Sequence, residues 1–313
     1  MSSAILVTGA AGFAGGHLVE LLARRGDAVV GWHRPGGQPP FDVAGVRWQA
    51  VDLLDAASVG EAIERLRPPT VYHCAGAAHV GQSWENVVQT LAVNVRGTHG
   101  LLEALRRSNV TARVLLPSSA LIYRPANEPL TEDHPLVPAS PYGLSKLAQE
   151  LLAARPSDRV MVTIGRAFNH VGPRQNPSFA ASGFAKQIAE IEAGRREPEV
   201  VVGNLDARRE VTDVRDTVRA YQIILEHGRP RVPYNISSGT AIAISALLEM
   251  FVSRARVPIR VRVDPARFRP NDQPLLVGNP RRLRDELGWR PAIPLAQTID
   301  DLLDYWRQSL REV

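Results

Sequence analysis

A chain of 313 residues with 44% hydrophobic and 22% charged side chains can bury a substantial core and has an ordinary globular balance. Its 37 Lys and Arg against 32 Asp and Glu leave a net charge of +5, without the dense basic runs interleaved with aromatics that mark nucleic-acid binders. One cysteine excludes an internal disulfide framework, and no apolar run approaches the roughly 18 residues of a membrane span, so a cytoplasmic protein is expected.

The opening "AILVTGAAGFAGG" has no basic n-region and meets glycines too early for a secretory signal. It reads instead as a buried strand (4–8) running into a glycine turn. Further apolar runs at 28–32, 46–51, 70–75, 113–119 and 160–167 read as strands. Between them, "HLVELLARRG", "DAASVGEAIERL" and "NVVQTLAVNVRGTHGLLEAL" carry helical spacing. Strand alternating with helix predicts an α/β fold, a doubly wound parallel sheet with covered faces. The second half is more broken and predicts a smaller α/β lobe. The expected division is 1–168 plus about 213–240 for the doubly wound domain, and about 169–212 with 241–313 for the second lobe. The aromatic stretch "LLDYWRQSL" is expected to pack on that lobe.

Gly9, Gly12 and Gly15 in "TGAAGFAG" follow the first strand and open the first helix. Glycines there allow a tight turn and let backbone N–H groups approach a pyrophosphate. The spacing is GxxGxxG, and the intervening Phe13 and Ala14 are counted with the loop. At the end of the second strand, roughly twenty residues past the glycines, an acid would bind the ribose 2′-hydroxyl of NAD. Arg34 stands there instead and suits a 2′-phosphate. NADP(H) is therefore preferred, with NAD(H) possible. Trp32 and His33 are candidate walls for the adenosine. Asp52 either accepts from the adenine amino group or caps the next helix; Leu53 and Ala75 complete the candidate cofactor contacts.

In "SPYGLSKLAQE", Ser140 and Pro141 suit a helix start, which places Tyr142 and Lys146 one turn apart on one face. A phenol with pKa near 10 is a poor proton shuttle. A lysine ammonium at about 4–6 Å in a partly desolvated site favours phenolate by about two pKa units. Tyr142 would exchange a proton with a sugar oxygen, and Ser119, ending the strand "RVLLPSS", would hydrogen-bond the same oxygen. Cys74 reads as a packing residue, and the histidines offer no metal spacing. His73 is a candidate for the cofactor cleft, His170 for the substrate. Asp213 and Asp216 read as helix caps.

With "HCAG" (73–76), "NVRGT" (94–98), "PSSALIY", "YGLSK" and "LGWRP" added, the chain resembles the extended short-chain dehydrogenase/reductase family almost end to end. The resemblance implies a nucleotide-sugar substrate between two lobes. It also implies a homodimer through a four-helix bundle, built here from about 84–107 and 141–155. "RAFNHVGPRQNPSF", "VVVGNLDARREVTDVRD" and "RFRPNDQPLLVGNP" look most like the GDP-mannose 4,6-dehydratase and GDP-4-keto-6-deoxymannose reductase branch. Carried over, Asn169 would bind the sugar diphosphate and Lys186 would approach the guanine. Arg209 and Arg269 would clamp phosphates, and Asp272 would hold ribose or base. The dehydratases resemble one another in a Thr-Ser-Glu run, where this chain reads Ser119-Ala120-Leu121. Leucine has no proton to take or give. The expectation is NADPH-dependent reduction of the C4 ketone of a GDP-4-keto-6-deoxyhexose, giving a GDP-6-deoxyhexose such as GDP-D-rhamnose. A 4-epimerase with tightly held NAD, a 4,6-dehydratase and a non-catalytic NADP sensor are the alternatives.

Overall fold

The computed structural model describes residues 4–37, 43–268 and 273–311. Seven parallel strands form the main sheet: β1 (Ile5–Thr8), β2 (Val29–His33), β3 (Val46–Ala50), β4 (Thr70–His73), β5 (Ala112–Ser119), β6 (Val160–Ala167) and, much later in the chain, β11 (Pro233–Ile236). Their spatial order is β3-β2-β1-β4-β5-β6-β11. The order reverses between β1 and β4, and in open parallel sheets the ligand crevice lies outside the carboxyl ends at such a reversal. The turns after β1, β4 and β5 therefore open onto one edge.

Near-continuous apolar strands demand cover on both faces. On one face α1 (Phe13–Arg24) buries Leu18, Val19 and Leu22 beside Val218, Tyr221 and Ile224 of α8 (Val214–His227). On the other, α2 (Ala56–Leu66), α5 (Gly97–Arg107) and α6 (Pro141–Ala153) contribute Val59, Ile63, Leu101, Leu105 and Ala153. Each such fully buried Val, Leu or Ile side chain contributes about 1.5–3 kcal/mol. A third cluster joins α7 (Ala180–Glu192), α9 (Ile244–Val252) and α11 (Leu295–Ser309) through Phe184, Ile188, Phe251, Ile299 and Leu302, over β8 (Glu199–Val202). Trp306 of α11 packs against it and donates to Ser182 Oγ at 3.0 Å. The short strands β9 (Arg208–Glu210), β12 (Ala241–Ala243) and β14 (Leu275–Leu276) form a separate three-stranded sheet.

The long helix read from 84 to 107 is broken into α3 (Val80–Glu85), α4 (Val87–Leu91), a π-turn over Ala92–Arg96, and α5. The wider π-turn brings buried Asn94 inward, where its amide accepts from Ala77 N–H (2.7 Å) and donates to Ser145 Oγ (2.8 Å). Of the two aspartates read as caps, Asp213 caps α8, whereas Asp216 accepts from the N–H groups of Ala292 and Ile293 (2.8 Å each) and so anchors the C-terminal segment. No described helix is long and apolar enough to cross a membrane.

Behind α6, Arg166 of β6 donates to both oxygens of Glu150 (3.0 and 2.8 Å), to Tyr123 Oη (2.9 Å) and to the Glu132 carbonyl (2.9 Å). Removing one member of a buried ion pair strands the other charge and costs about 3–5 kcal/mol. Arg166→Met should lower the unfolding free energy by about that much in urea titration. Pairing it with Glu150→Leu should recover part of the loss; a double variant less stable than both singles would refute this account of the pair.

Candidate active site

Gly9 sits at φ +64, where glycine is favoured, and a Cβ there would lie 2.6 Å from Ala75 Cα. A Cβ on Gly15 would come 2.1 Å from the Gly9 carbonyl. Only glycine allows the loop to close this tightly over the turn after β4. Gly12 is the N-cap of α1 and offers no side-chain cap, so the N–H groups of that helix start remain available to an anion. Phe13 and Ala14 line the adjoining cavity.

Toward the adenosine end, Arg34 is exposed immediately beyond β2. Asp52 is exposed too, and its carboxylate accepts from Leu54 N–H at 2.9 Å. The cap of α2 is Asp55, not Asp52. Leu53 packs within 3.4 Å of a Cβ built on Gly97. Trp32 does not wall an adenosine site: it is 2% exposed, packed in the core, with its indole N–H on Gln49 (3.2 Å). Strand alternation turns it to the covered face and leaves His33 partly open. His73 is likewise absent from the cleft. It is sealed between the hydroxyls of Thr8 and Thr98, 2.8 Å each, and burial together with Lys146 pushes it down to about 3. Burial pushes the Cys74 thiol up to about 12, so it stays a thiol beside the cavity.

Ser140 caps α6 through Gly143 N–H (3.0 Å), and Pro141 occupies its first turn. The sequence alone does not single out Gly143, yet a Cβ there would stand 2.3 Å from the Leu121 carbonyl. The helix start and the turn after β5 therefore touch backbone to backbone, and this brings Tyr142 to Ser119. The phenol is raised above its ordinary value by burial, and the hydrogen bond with Ser119 is what pulls the other way. This corrects the expectation of a phenol lowered by Lys146. Both side chains are desolvated together, and burial, not the lysine, sets the direction of the phenol's shift. Lys146 itself is pushed down to about 8, mainly by burial, with Cys74 and Glu150 opposing.

Ser119, Tyr142 and Lys146 line one cavity of about 860 Å³ together with Leu121, Asn169, His170, Lys186 and Arg209. His170 stacks on Phe13 (5.7 Å between centroids), so the glycine-loop helix and the segment after β6 share a wall of the cavity. Arg269 and Asp272 lie outside the described residues. Sequence reasoning missed Ser118, Gln175, Glu190, Arg196, Asn204 and Arg267, all of which line the cavity. Ser118 had a signal, its place beside Ser119 at a strand end. The others had none, because packing of 170–205 against the chain near 267 brings them to the cavity. The buried Ser118 Oγ and Gln175 Oε1 have no hydrogen-bond partner among the described residues. A buried unpaired group costs about 1–3 kcal/mol, so such atoms suit a cavity completed by a polar ligand. The glycine cradle, the uncapped helix start and these orphaned oxygens fit a dinucleotide with a sugar beside it. No group of three or more His, Cys, Asp or Glu that could hold a metal occurs among the described residues.

The sequence model for GDP-mannose 4,6 dehydratase matches residues 6–302. Along its full length the chain is 33% identical to the whole of GDP-6-deoxy-D-mannose reductase from Pseudomonas aeruginosa. The structure of RMD from the same organism, complexed with NADPH, superposes with a TM-score of 0.85 at 31% identity, covering 98% of this chain and 99% of that one. UDP-glucose 4-epimerase from Thermus thermophilus, complexed with NAD, gives 0.86 at 29% identity over 97% and 99% of the two chains. A cradle for a dinucleotide, a serine, tyrosine and lysine on one cavity, and a match over nearly the whole length converge: the chain belongs to the GDP-mannose 4,6-dehydratase family and is an enzyme of the extended short-chain dehydrogenase/reductase type.

Proposed function

We propose that the protein is an NADPH-dependent reductase acting on the C4 ketone of a GDP-4-keto-6-deoxyhexose to give a GDP-6-deoxyhexose such as GDP-D-rhamnose. The observation that carries this reading is the absence of an elimination acid or base. Among the described residues lining the cavity, Glu190 is the sole carboxylate, and it is paired with Lys186 and Arg196. The position beside Ser119 where a dehydratase-like acid would stand is Leu121. The acids that follow in sequence are engaged elsewhere: Glu128 with His134, Glu132 with Asn235 N–H and Asp133 with Arg282.

Bound NADPH supplies the hydride to C4. The protein's own part is protonic and positional. Burial keeps the Tyr142 phenol protonated at neutral pH, the state a proton donor to a ketone oxygen requires. Ser119 hydrogen-bonds that oxygen as its charge develops, and Lys146 holds the nicotinamide ribose. Asn169, Arg209 and Arg269 take the diphosphate, Lys186 and Asp272 the nucleoside. Gly9, Gly12, Phe13, Ala14, Gly15 and Ala75 hold the dinucleotide; Asp52 and Leu53 sit at the adenine. Arg34 suits the 2′-phosphate, in keeping with the NADPH bound by the Pseudomonas structure. NAD(H) remains a possible cofactor. In this reading residues 1–168 with about 213–240 bind the dinucleotide, and the rest of the chain receives the nucleotide sugar. A single free cysteine suits a reducing cytoplasm.

We also propose a homodimer. Trp84, Val88, Leu144 and Leu151 are 57%, 82%, 51% and 68% exposed, on α3, α4 and α6. Because α4 packs beside α6, a second copy meeting this face would complete a four-helix bundle.

With the GDP-4-keto sugar, the enzyme should oxidise NADPH stoichiometrically, and Tyr142→Phe should cut turnover by about a hundred- to ten-thousandfold while still binding NADPH. Absence of NADPH oxidation with that substrate would defeat the reductase reading. Because burial pushes Lys146 down to about 8, the reductive rate should fall as pH rises through that value, when the ammonium is lost. A profile flat to pH 10 would separate Lys146 from the reaction. Light scattering should give twice the chain mass, and Val88→Asp with Leu151→Glu should halve it; a monomeric wild type would rule the dimer out.

A further inference from the structure

Lys186, Glu190 and Arg196 form a charge-alternating triad where α7 borders the cavity. Glu190 Oε1 lies 3.6 Å from Lys186 Nζ and Oε2 lies 3.7 Å from Arg196 Nη1. Both separations are ion-pair contacts longer than hydrogen bonds, and no described residue donates a hydrogen bond to either oxygen. The carboxylate is partly exposed, on a residue that lines the cavity. The two cations thus hold the carboxylate in place, and its acceptor sites that face neither of them remain for a ligand. Lys186 is itself steadied, its ammonium 5.5 Å from the Trp306 ring centroid.

The edge of a purine or pyrimidine that matches a fixed carboxylate must present two adjacent donors. Guanine does, with N1–H and the N2 amino group, and carries O6 beside them as an acceptor for a cation. Uracil and thymine present one N–H flanked by two carbonyl oxygens, which a carboxylate repels. Adenine presents its amino group beside an unprotonated N1. A lysine alone would serve O6 of guanine and O4 of uracil equally, so Lys186 cannot discriminate between them. We propose that Glu190 is the residue that selects guanine, accepting from N1–H and the N2 amino group while Lys186 donates to O6. Arg196 holds the carboxylate from the other side. The inference rests on the nucleotide-sugar reading above and adds the residue that sets its base.

Inosine diphosphate isolates the contact, because it keeps N1–H and O6 and lacks only the N2 amino group. By calorimetry, wild-type enzyme should bind GDP about tenfold more tightly than IDP, the worth of one hydrogen bond to a charged group. In Glu190→Gln and Glu190→Ala that ratio should collapse toward one, with NADPH affinity unchanged as the control for folding. Wild type that binds GDP and IDP equally, or variants that keep the wild-type ratio, would overturn the role of Glu190 and leave the reductase reading standing. Wild type that prefers UDP or dTDP to GDP would overturn both.

Discussion

The site depends on one helix staying where it is put. α6 carries Tyr142 and Lys146, and three contacts fix it: Gly143 against the Leu121 carbonyl, Ser145 on the Asn94 amide, and Glu150 in the two-pronged grip of Arg166. An ion pair this deeply buried adds little net folding free energy over an apolar replacement of equal volume. Its yield is register. Two parallel N–H···O bonds allow Glu150 one position along the strand, and Lys146, a turn earlier, inherits it. Tyr123 and Asn235 extend the same network to the far edge of the sheet, so the helix is referred to two strands, β6 and β11, rather than one.

Much of this was legible in the sequence, for physical reasons. The N-terminal strands inside the sheet are largely apolar runs because both their faces are covered, whereas β3 is the partly exposed edge; each of the six falls within a residue or two of where it was read. The glycine spacing was legible because only glycine fits within 2.1 Å of a carbonyl. What the pattern could not give was the side-chain facing at strand ends. Trp32 and His73 belong by position to the cofactor edge, yet both side chains turn into the interior. The broken helix over 80–107 was invisible as well, since a π-turn preserves apolar spacing on either side. The wall formed by Gln175, Glu190, Arg196 and Arg267 has no local signature at all; it exists only once distant segments pack.

Electrostatics was the least legible level. Two residues four apart in a helix suggest that the cation acts on the phenol. In the folded protein each is perturbed chiefly by its own loss of water, Tyr142 upward and Lys146 downward. Both shifts favour the less charged form, as burial does in general. Burial thus keeps the phenol in its protonated form.

The Leu121 carbonyl, wedged against Gly143, is fixed by main-chain contact alone, whatever side chain the residue bears. Position 121 is therefore a socket: its main chain is set by neighbours, and its side chain lines the cavity at the margin of the cluster around Ile122 and Phe168. A lineage could exchange that substituent, acid for alkyl, while the Ser119, Tyr142 and Lys146 beside it on the cavity stayed in place. Closely similar scaffolds hosting divergent sugar chemistries is what such a division of labour within the backbone would produce.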